Sequence, residues 1–596
     1  SNIFNINVKA NIIKSTKSKI SLGNIDTITS TDGKIFETTN SALALNSVDK
    51  FSSKTPSEFT DTKVLLTNFT EFSSNEDIFK GCGLNLTVIG NGSSVLTSKN
   101  GSVLNTSSCN TTNKAVFEKI KDIISENSTA ITLNNTSLSL NYITKIESGA
   151  SGYAIKAVKS IITSKYCTQI TGGGDDAILL GNESVLSLNT CDLLNLKSGA
   201  TGNALNIDTN SDAYLTNVLT ITGVTAGIKL QNNSTCTLNK IDQLKGSEGD
   251  GIQIGRSCNL QGDSINLISG VSGSGIKSIG EESSIYFTNV KKIEGLSANG
   301  VELTSTEFIL YNDNIAVSDD PKIFGATNSI SASNNKEPGS YKIKINGPLT
   351  LDSNGTNSIN VSKYFIDIKG IILNNDFIST ESILRDFYCN FKKKINAGST
   401  YITSIYSKVG NNINLSDNST YKSNKTPITG DMSLSDSLMN LEFSIVSGDL
   451  TLTNSSGIAE VATLNSASLS DSFLGAFATT LSDVSHSGIS TYLGGATSGT
   501  DLSFSQDASI SGTTAALTAE GGNLGLQAEQ TLFIKSLDLD AEIRNNMDIT
   551  TQAAITINSD TTLDLTAATT ITSTVGGSSI TIATAQIDVT SALVNI

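Results

Sequence analysis

The sequence predicts an all-β protein whose first half is a parallel β-solenoid, and three recurring series carry that prediction. A small residue followed by a branched aliphatic recurs at Ala130-Ile131, Ala154-Ile155, Ala177-Ile178, Ala204-Leu205, Gly227-Ile228, Gly251-Ile252, Gly275-Ile276 and Gly300-Val301, with steps of 24, 23, 27, 23, 24, 24 and 25. A second phrase, Leu-x-x-aliphatic with Asn inside it, keeps the step out of phase: Leu22-Ile25, Leu45-Val48, Leu66-Phe69, Leu140-Ile143, Leu215-Val218, Leu238-Ile241 and Phe287-Val290. The third series is glycine, at Gly149, Gly172, Gly199, Gly223, Gly246, Gly270 and Gly295.

A period near 24 divides into three short strands and three turns. Alternation within each unit (Ile178-x-Leu180, Leu205-x-Ile207, Ile252-x-Ile254) gives each strand one buried face. The glycine series is expected at turns of positive φ, which glycine adopts without a Cβ clash. Stacked units pair every backbone group with the unit above and below. After an N-terminal segment (1–18), the solenoid is assigned to residues 19–312. Its roughly twelve coils at about 4.8 Å each would span about 57 Å. Residues 70–125 fit the step poorly, which predicts an insertion or irregular coil, with Glu118–Ile124 as a short helix.

Residues 313–430 lose the step, gain Pro321, Pro338 and Pro348, and are assigned to a separate β domain. Its densest aromatic and basic stretch is RDFYCNFKKK (385–394), read as a lysine-protected strand edge, with contact to an acidic partner as the alternative. The net charge of −16 then locates a third region. Residues 431–596 hold 18 of the 56 acidic residues and two of the 40 basic ones, Lys535 and Arg544, which leaves 38 of each sign before them. From Leu524 onward, aliphatic pairs such as Ile555/Ile557, Leu563/Leu565 and Ile580/Ile582 recur every seven to nine residues among Thr, Ser and Asp. Two inward aliphatics per eight residues cannot enclose a core alone, so 431–596 is assigned to an acidic β-helix wound from three chains.

These units resemble the parallel right-handed β-helix repeats of pectin lyases and phage tailspikes. The tail, with GGSSITIATAQIDV (576–589), is similar to the trimeric needles of phage central spikes and type VI secretion spikes, and to repetitive C-termini of structural proteins from marine and cyanobacterial phages. Such needles often end in a metal-binding histidine cluster, whereas the only histidine here is His486. The resemblance implies a homotrimeric virion fibre or spike, assembled in the host cytoplasm, attached to other tail or baseplate proteins and contacting a host surface glycan or receptor.

Chemistry is sparse. The charge balance argues against nucleic acid as a ligand, and no run is long enough for a membrane span. His486, near Asp483 and Ser485, is read as an ordinary polar histidine. The seven cysteines include no CxxC and are read as packing residues without a disulfide framework, with Cys236 and Cys258 expected to stack in adjacent coils. GGGDD (172–176) lacks the lysine of a P-loop and the spacing of a calcium repeat, so it reads as a solenoid turn. No cofactor or metal site is assigned. Tailspikes of similar architecture degrade polysaccharides with paired carboxylates, and inversion requires a separation of about 6.5–9.5 Å. Asp176 and Asp250 fall three coils apart, about 14 Å. Glu248 and Asp250, which could share a face about 7 Å apart, are the candidate pair for the alternative of a polysaccharide depolymerase. A cell-surface adhesin or surface-layer protein is the third reading.

Overall fold

The computed structural model describes residues 5–9, 11–189, 194–460, 463–477, 480–487, 490–492, 514–516, 570–575, 578–583 and 586–590. The fold is all-β, with one 3₁₀ turn at Val317–Asp319 and no α-helix among the described residues. The chain divides into two units, Ser1–Leu524 and Gly525–Ile596.

In the first unit one large sheet joins strands from Asn5 to Ser487, and among the described residues its strands pair in parallel. Each strand pairs with the segments one passage of the chain earlier and later. Ile25 faces Val48, Val218 faces Ile241, Ile241 faces Ile265 and Ile265 faces Val290, steps of 23 to 25. The aliphatics of the first phrase form one buried column: Ile131, Ile155, Ile178, Leu205, Ile228, Ile252, Ile276 and Val301. That column continues past them through Ile330, Ile359, Phe377, Ile395, Ile413, Met432 and Leu450.

The ladder crosses the boundaries expected at 312/313 and 430/431. Tyr311 pairs with Asn346, Asn424 with Glu442, and Pro427 with Ile445. What changes is the step. Tyr341 to Tyr364 is still 23, but Phe365 to Ile383 and Ile383 to Tyr401 are 18. Long strands such as Asp212–Gly223 give way to short ones such as Ile383–Phe387, Asn390–Phe391 and Ile395–Gly398. The N-terminal segment also joins the ladder, since Asn5–Val8 pairs with Thr27–Ser30.

Residues 70–125 are irregular for two reasons. The column there is carried by Phe79 and Leu104, and the step widens to 29 where Leu86 faces Ala115. The helix expected at Glu118–Ile124 is instead part of the strand Asn113–Ser125. Its left-handed residue, Lys119, breaks the alternation, so Phe117, Ile120 and Ile123 all face inward and mimic helical spacing. The widened passage also places Cys109 beside Cys82, and the two form a disulfide with Cα atoms 5.2 Å apart. This corrects the reading of the cysteines as disulfide-free: a separation of 27 matches one passage here. Cys236 does not stack on Cys258 either. It faces Leu260, because Leu238 is in register with Gly262, two residues beyond the leucine assumed equivalent.

The turns differ from expectation in an informative way. None of the seven series glycines has a positive φ. They are required by close approach: a Cβ on Gly223, Gly246, Gly270 or Gly295 would lie 1.6, 2.0, 2.1 or 2.0 Å from the carbonyl oxygen of Ala226, Asp250, Ser274 or Asn299. The left-handed positions belong to the second phrase, at Asn24, Ser47, Asn68, Tyr142, Asn217, Lys240 and Asn289, and to a second corner that includes Asn135, Lys159, Glu183 and Ser257.

At the second corner, the N–H following the left-handed residue turns inward, and a hydroxyl one passage later accepts it. Thr136 N donates to Ser160 Oγ at 3.1 Å, Ser160 N to Ser184 Oγ at 3.2 Å and Ser184 N to Ser211 Oγ at 3.1 Å. The relay persists in the 18-residue passages, where Tyr364 N, Thr400 N, Ser437 N and Ser455 N reach Ser382, Ser419, Ser455 and Ser472. At Thr306 the acceptor is the phenol of Tyr364, 3.1 Å away, which also donates to the Thr306 carbonyl.

The second unit contains a three-stranded antiparallel sheet, Thr570–Val575, Ser578–Ala583 and Gln586–Thr590, with Ile580 opposite Val589 and Ile582 opposite Ile587. The other aliphatic pairs of 524–569 and 591–596 lie outside the described residues.

The glycine geometry yields a test. Gly246→Ala should destabilise the protein by about 1–3 kcal/mol through overpacking against the Asp250 carbonyl. Gly181→Ala, whose Cβ would meet nothing closer than 3.7 Å, should leave the denaturation midpoint unchanged. Equal midpoints for the two variants would refute the close-approach role.

Candidate functional site

The acidic candidates resolve into structural clamps. Asp250 is buried; its Oδ1 accepts the Ser274 N–H at 2.7 Å and its Oδ2 accepts Gln253 Nε2 at 2.8 Å. Asp176 occupies the same column and is likewise spent, on the Asn203 N–H and Nδ2 (2.6 and 2.8 Å) and on Asn206 Nδ2 (2.9 Å). Asp77 repeats the pattern with Ser102 N and Asn105 Nδ2. An aspartate two residues before the column aliphatic therefore ties one passage to the next. Glu248 is exposed and its backbone N–H bonds to Val224, so the structure gives the proposed pair one surface acid and one committed clamp. GGGDD forms the turn that holds Asp176, with Gly173 packed against the Gly149 carbonyl. His486 lies in the strand Thr480–Ser487, its backbone opposite Leu469.

Among the described residues, no cluster of three or more His, Cys, Asp or Glu has metal-binding geometry, and no helix is long and apolar enough to cross a membrane. The thiols of Cys236, Cys258 and Cys389 are free and buried, and Cys167 is buried as well. Burial holds the Cys236 thiol far above its ordinary range and pushes Cys389 up to about 12, which keeps both protonated.

The stretch RDFYCNFKKK has a different place from the one expected. It is not a sheet edge, because Ile383–Phe387 is paired on both sides, with Phe365–Lys369 and with Tyr401–Ile405. Its alternation sends Leu384 and Asp386 inward and Arg385 and Phe387 outward. The outward face of this sheet collects cations and rings from successive passages. One column runs Lys344, Asp367, Arg385, Thr403, Lys422, and its neighbour runs Lys342, Phe365, Ile383, Tyr401, Thr420. Lys342 and Arg385 cover the Phe365 ring at 5.4 and 5.2 Å, Lys369 covers Phe387 at 5.7 Å, and Lys422 covers Tyr401 at 5.4 Å. At the left-handed corner beside them, Tyr388 and Tyr406 stack at 5.2 Å and are 56% and 43% exposed, with Lys425 5.1 Å from the Tyr406 ring. None of Lys342, Lys344, Lys369, Arg385, Lys422 or Lys425 joins a salt bridge among the described residues. The local potential is positive: a hydrogen bond from Lys422, aided by the charge of Arg385, holds the Tyr401 phenol's pKa below its ordinary value.

Asp386 is the one fully buried acid behind this face. Ser404 Oγ donates to its Oδ1 at 2.6 Å, while its Oδ2 and the Tyr421 hydroxyl have no partner among the protein atoms. Desolvation raises its pKa to about 7, against the opposing hydrogen bond of Ser404. Tyr421 and Cys389 are the other titratable groups that interact with it.

Comparison with known proteins gives no match to a family model, to a curated protein or to a solved structure.

Because the folded pKa of Asp386 lies above its unfolded value of about 4, the folded state binds the extra proton between those values. Its stabilising contribution is complete below about pH 4 and lost as pH rises through about 7. Asp386→Asn should therefore flatten the fall in stability over this window and raise the denaturation midpoint at pH 8. A variant with the wild-type pH profile would exclude Asp386 as the source.

Proposed function

We propose that the chain is a β-solenoid fibre or spike subunit of a virion, assembled as a homotrimer, fixed to a phage tail or baseplate and in contact with the host surface. The observation that carries this reading is the parallel register maintained from Asn5 to Ser487. A ladder in which each passage rests on the last makes a mechanical element, because the passages share one core and cannot shift independently. The acids suited to catalysis by their burial, Asp176 and Asp250, are consumed in holding passages together, which favours a structural over an enzymatic role.

Self-association is supported by where apolar side chains reach the surface. Leu438, Phe443 and Ile445 are 54%, 49% and 48% exposed, and Ile458 and Phe473 follow them on later passages. Exposed apolar side chains on successive passages suit an interaction face, and in sequence these precede the tail whose aliphatic pairs are read as needing other chains to complete a core.

Sedimentation equilibrium of the full chain should give three times the 62.4 kDa subunit mass. Because intertwined chains separate only by unwinding, an unheated sample should also migrate above monomer mass in SDS. Monomer mass in sedimentation would refute the trimer.

A further inference from the structure

We propose that the outward face built from residues 341–425 binds a linear acidic polysaccharide, the cations pairing with its carboxylates and the tyrosine hydroxyls with its sugar hydroxyls. The proposal rests on the host-contact reading above and names the chemistry of that contact.

The charge of this face calls for an anion. Six cations on this face have Asp367 as the single acid among them, in a protein of net charge −16. Elsewhere on the ladder, several outward lysines are neutralised by acids one passage away, as in Lys277–Glu302 at 3.1 Å and Lys322–Asp352 at 2.6 Å. Here rings back the cations instead. A cation held over a ring keeps its full charge and its outward donors while losing conformational freedom. That arrangement is pre-organised for an anion and leaves a charge deficit that an anionic partner fills.

The spacing of its cations suits a repeating polymer. Lys344, Arg385 and Lys422 share a column at every second passage, which at about 4.8 Å per passage places charges about 10 Å apart. This is close to the length of a disaccharide, so a polymer with one carboxylate per disaccharide keeps in step with the column. Thr403 fills the intervening passage with a hydroxyl, and Asp367 lies between Lys344 and Arg385.

Single-stranded nucleic acid fits less well. It needs free aromatic faces on which bases stack, and the Phe365, Phe387, Tyr401 and Tyr406 rings are capped by cations of the protein itself. The acidic tail of a second copy would meet the same charges but offers no regular carboxylate spacing, with gaps between acids from two to more than twenty residues.

The test measures binding of the full chain to fluorescein-labelled hyaluronan, dextran and oligothymidylate by fluorescence anisotropy. Hyaluronan should bind, dextran should not, and affinity should fall steeply between about 0.05 M and about 0.5 M salt. The triple variant Lys369→Gln, Arg385→Gln, Lys422→Gln, all at exposed positions, should weaken hyaluronan binding at least about tenfold. The control variant Lys99→Gln, Lys165→Gln, Lys240→Gln removes three exposed lysines that share no column and should bind as wild type. No binding to hyaluronan, equal losses in both variants, tighter binding of oligothymidylate, or loss of self-association in the first variant would each overturn the proposal. Sedimentation mass is read on the same samples, so failure of the polysaccharide site is separable from failure of the trimer.

Discussion

The structure depends on how buried backbone groups are satisfied where the chain turns a corner. A left-handed residue turns the next N–H inward, where the ladder cannot reach it and water is excluded. An unpaired N–H in that position costs about 1–3 kcal/mol, and the cost would recur at every passage. The solution is a serine one passage on, whose Oγ accepts the N–H and whose own proton returns to the carbonyl two residues behind it, as Ser160 does to Val158 and Ser382 to Thr380. Where serine is absent an equivalent acceptor stands in: Asn113 for the Leu84 N–H, Asn312 for that of Val290, and the Tyr364 phenol for that of Thr306.

This constraint explains a composition that reads at first as low complexity. Serines with near-zero exposure, such as Ser184, Ser211 and Ser234, are core residues here. Stacking also fixes what varies. Inward positions mostly hold apolar side chains, the corner must hold a side-chain oxygen that accepts the inward N–H, and the series glycine must lack a Cβ, while outward positions answer only to solvent or a partner. The cation and ring columns at 341–425 are therefore free choices of the sequence, which is why their regularity carries functional weight.

Much of the first region was legible because three inward or corner features repeat with nearly one step. The aliphatic phrase predicted its own register through eight passages. The glycine series was legible as a ladder but not as a mechanism, since sequence cannot separate a glycine needed for positive φ from one needed for close approach. The change to 18 residues after Phe365 was missed because the outward positions that catch the eye, Ile383, Tyr401, Thr420 and Leu438, share no chemistry. The signal lay in small buried residues instead: Ser382, Thr400, Ser419, Ser437, Ser455 and Ser472 keep the shorter step. Of the site, RDFYCNFKKK marked one strand, but its partners on neighbouring passages become visible only when register joins residues 18 to 23 apart.

The most direct measurement of the corner relay is native-state hydrogen exchange on Ser184→Ala. The account predicts that protection at the Ser160 amide, which donates to Ser184 Oγ, falls selectively, while protection of the Cys258 amide on the distant Ser283 corner is retained. Unchanged protection at Ser160, in a variant that folds normally, would contradict the claim that hydroxyl relays hold the corners together.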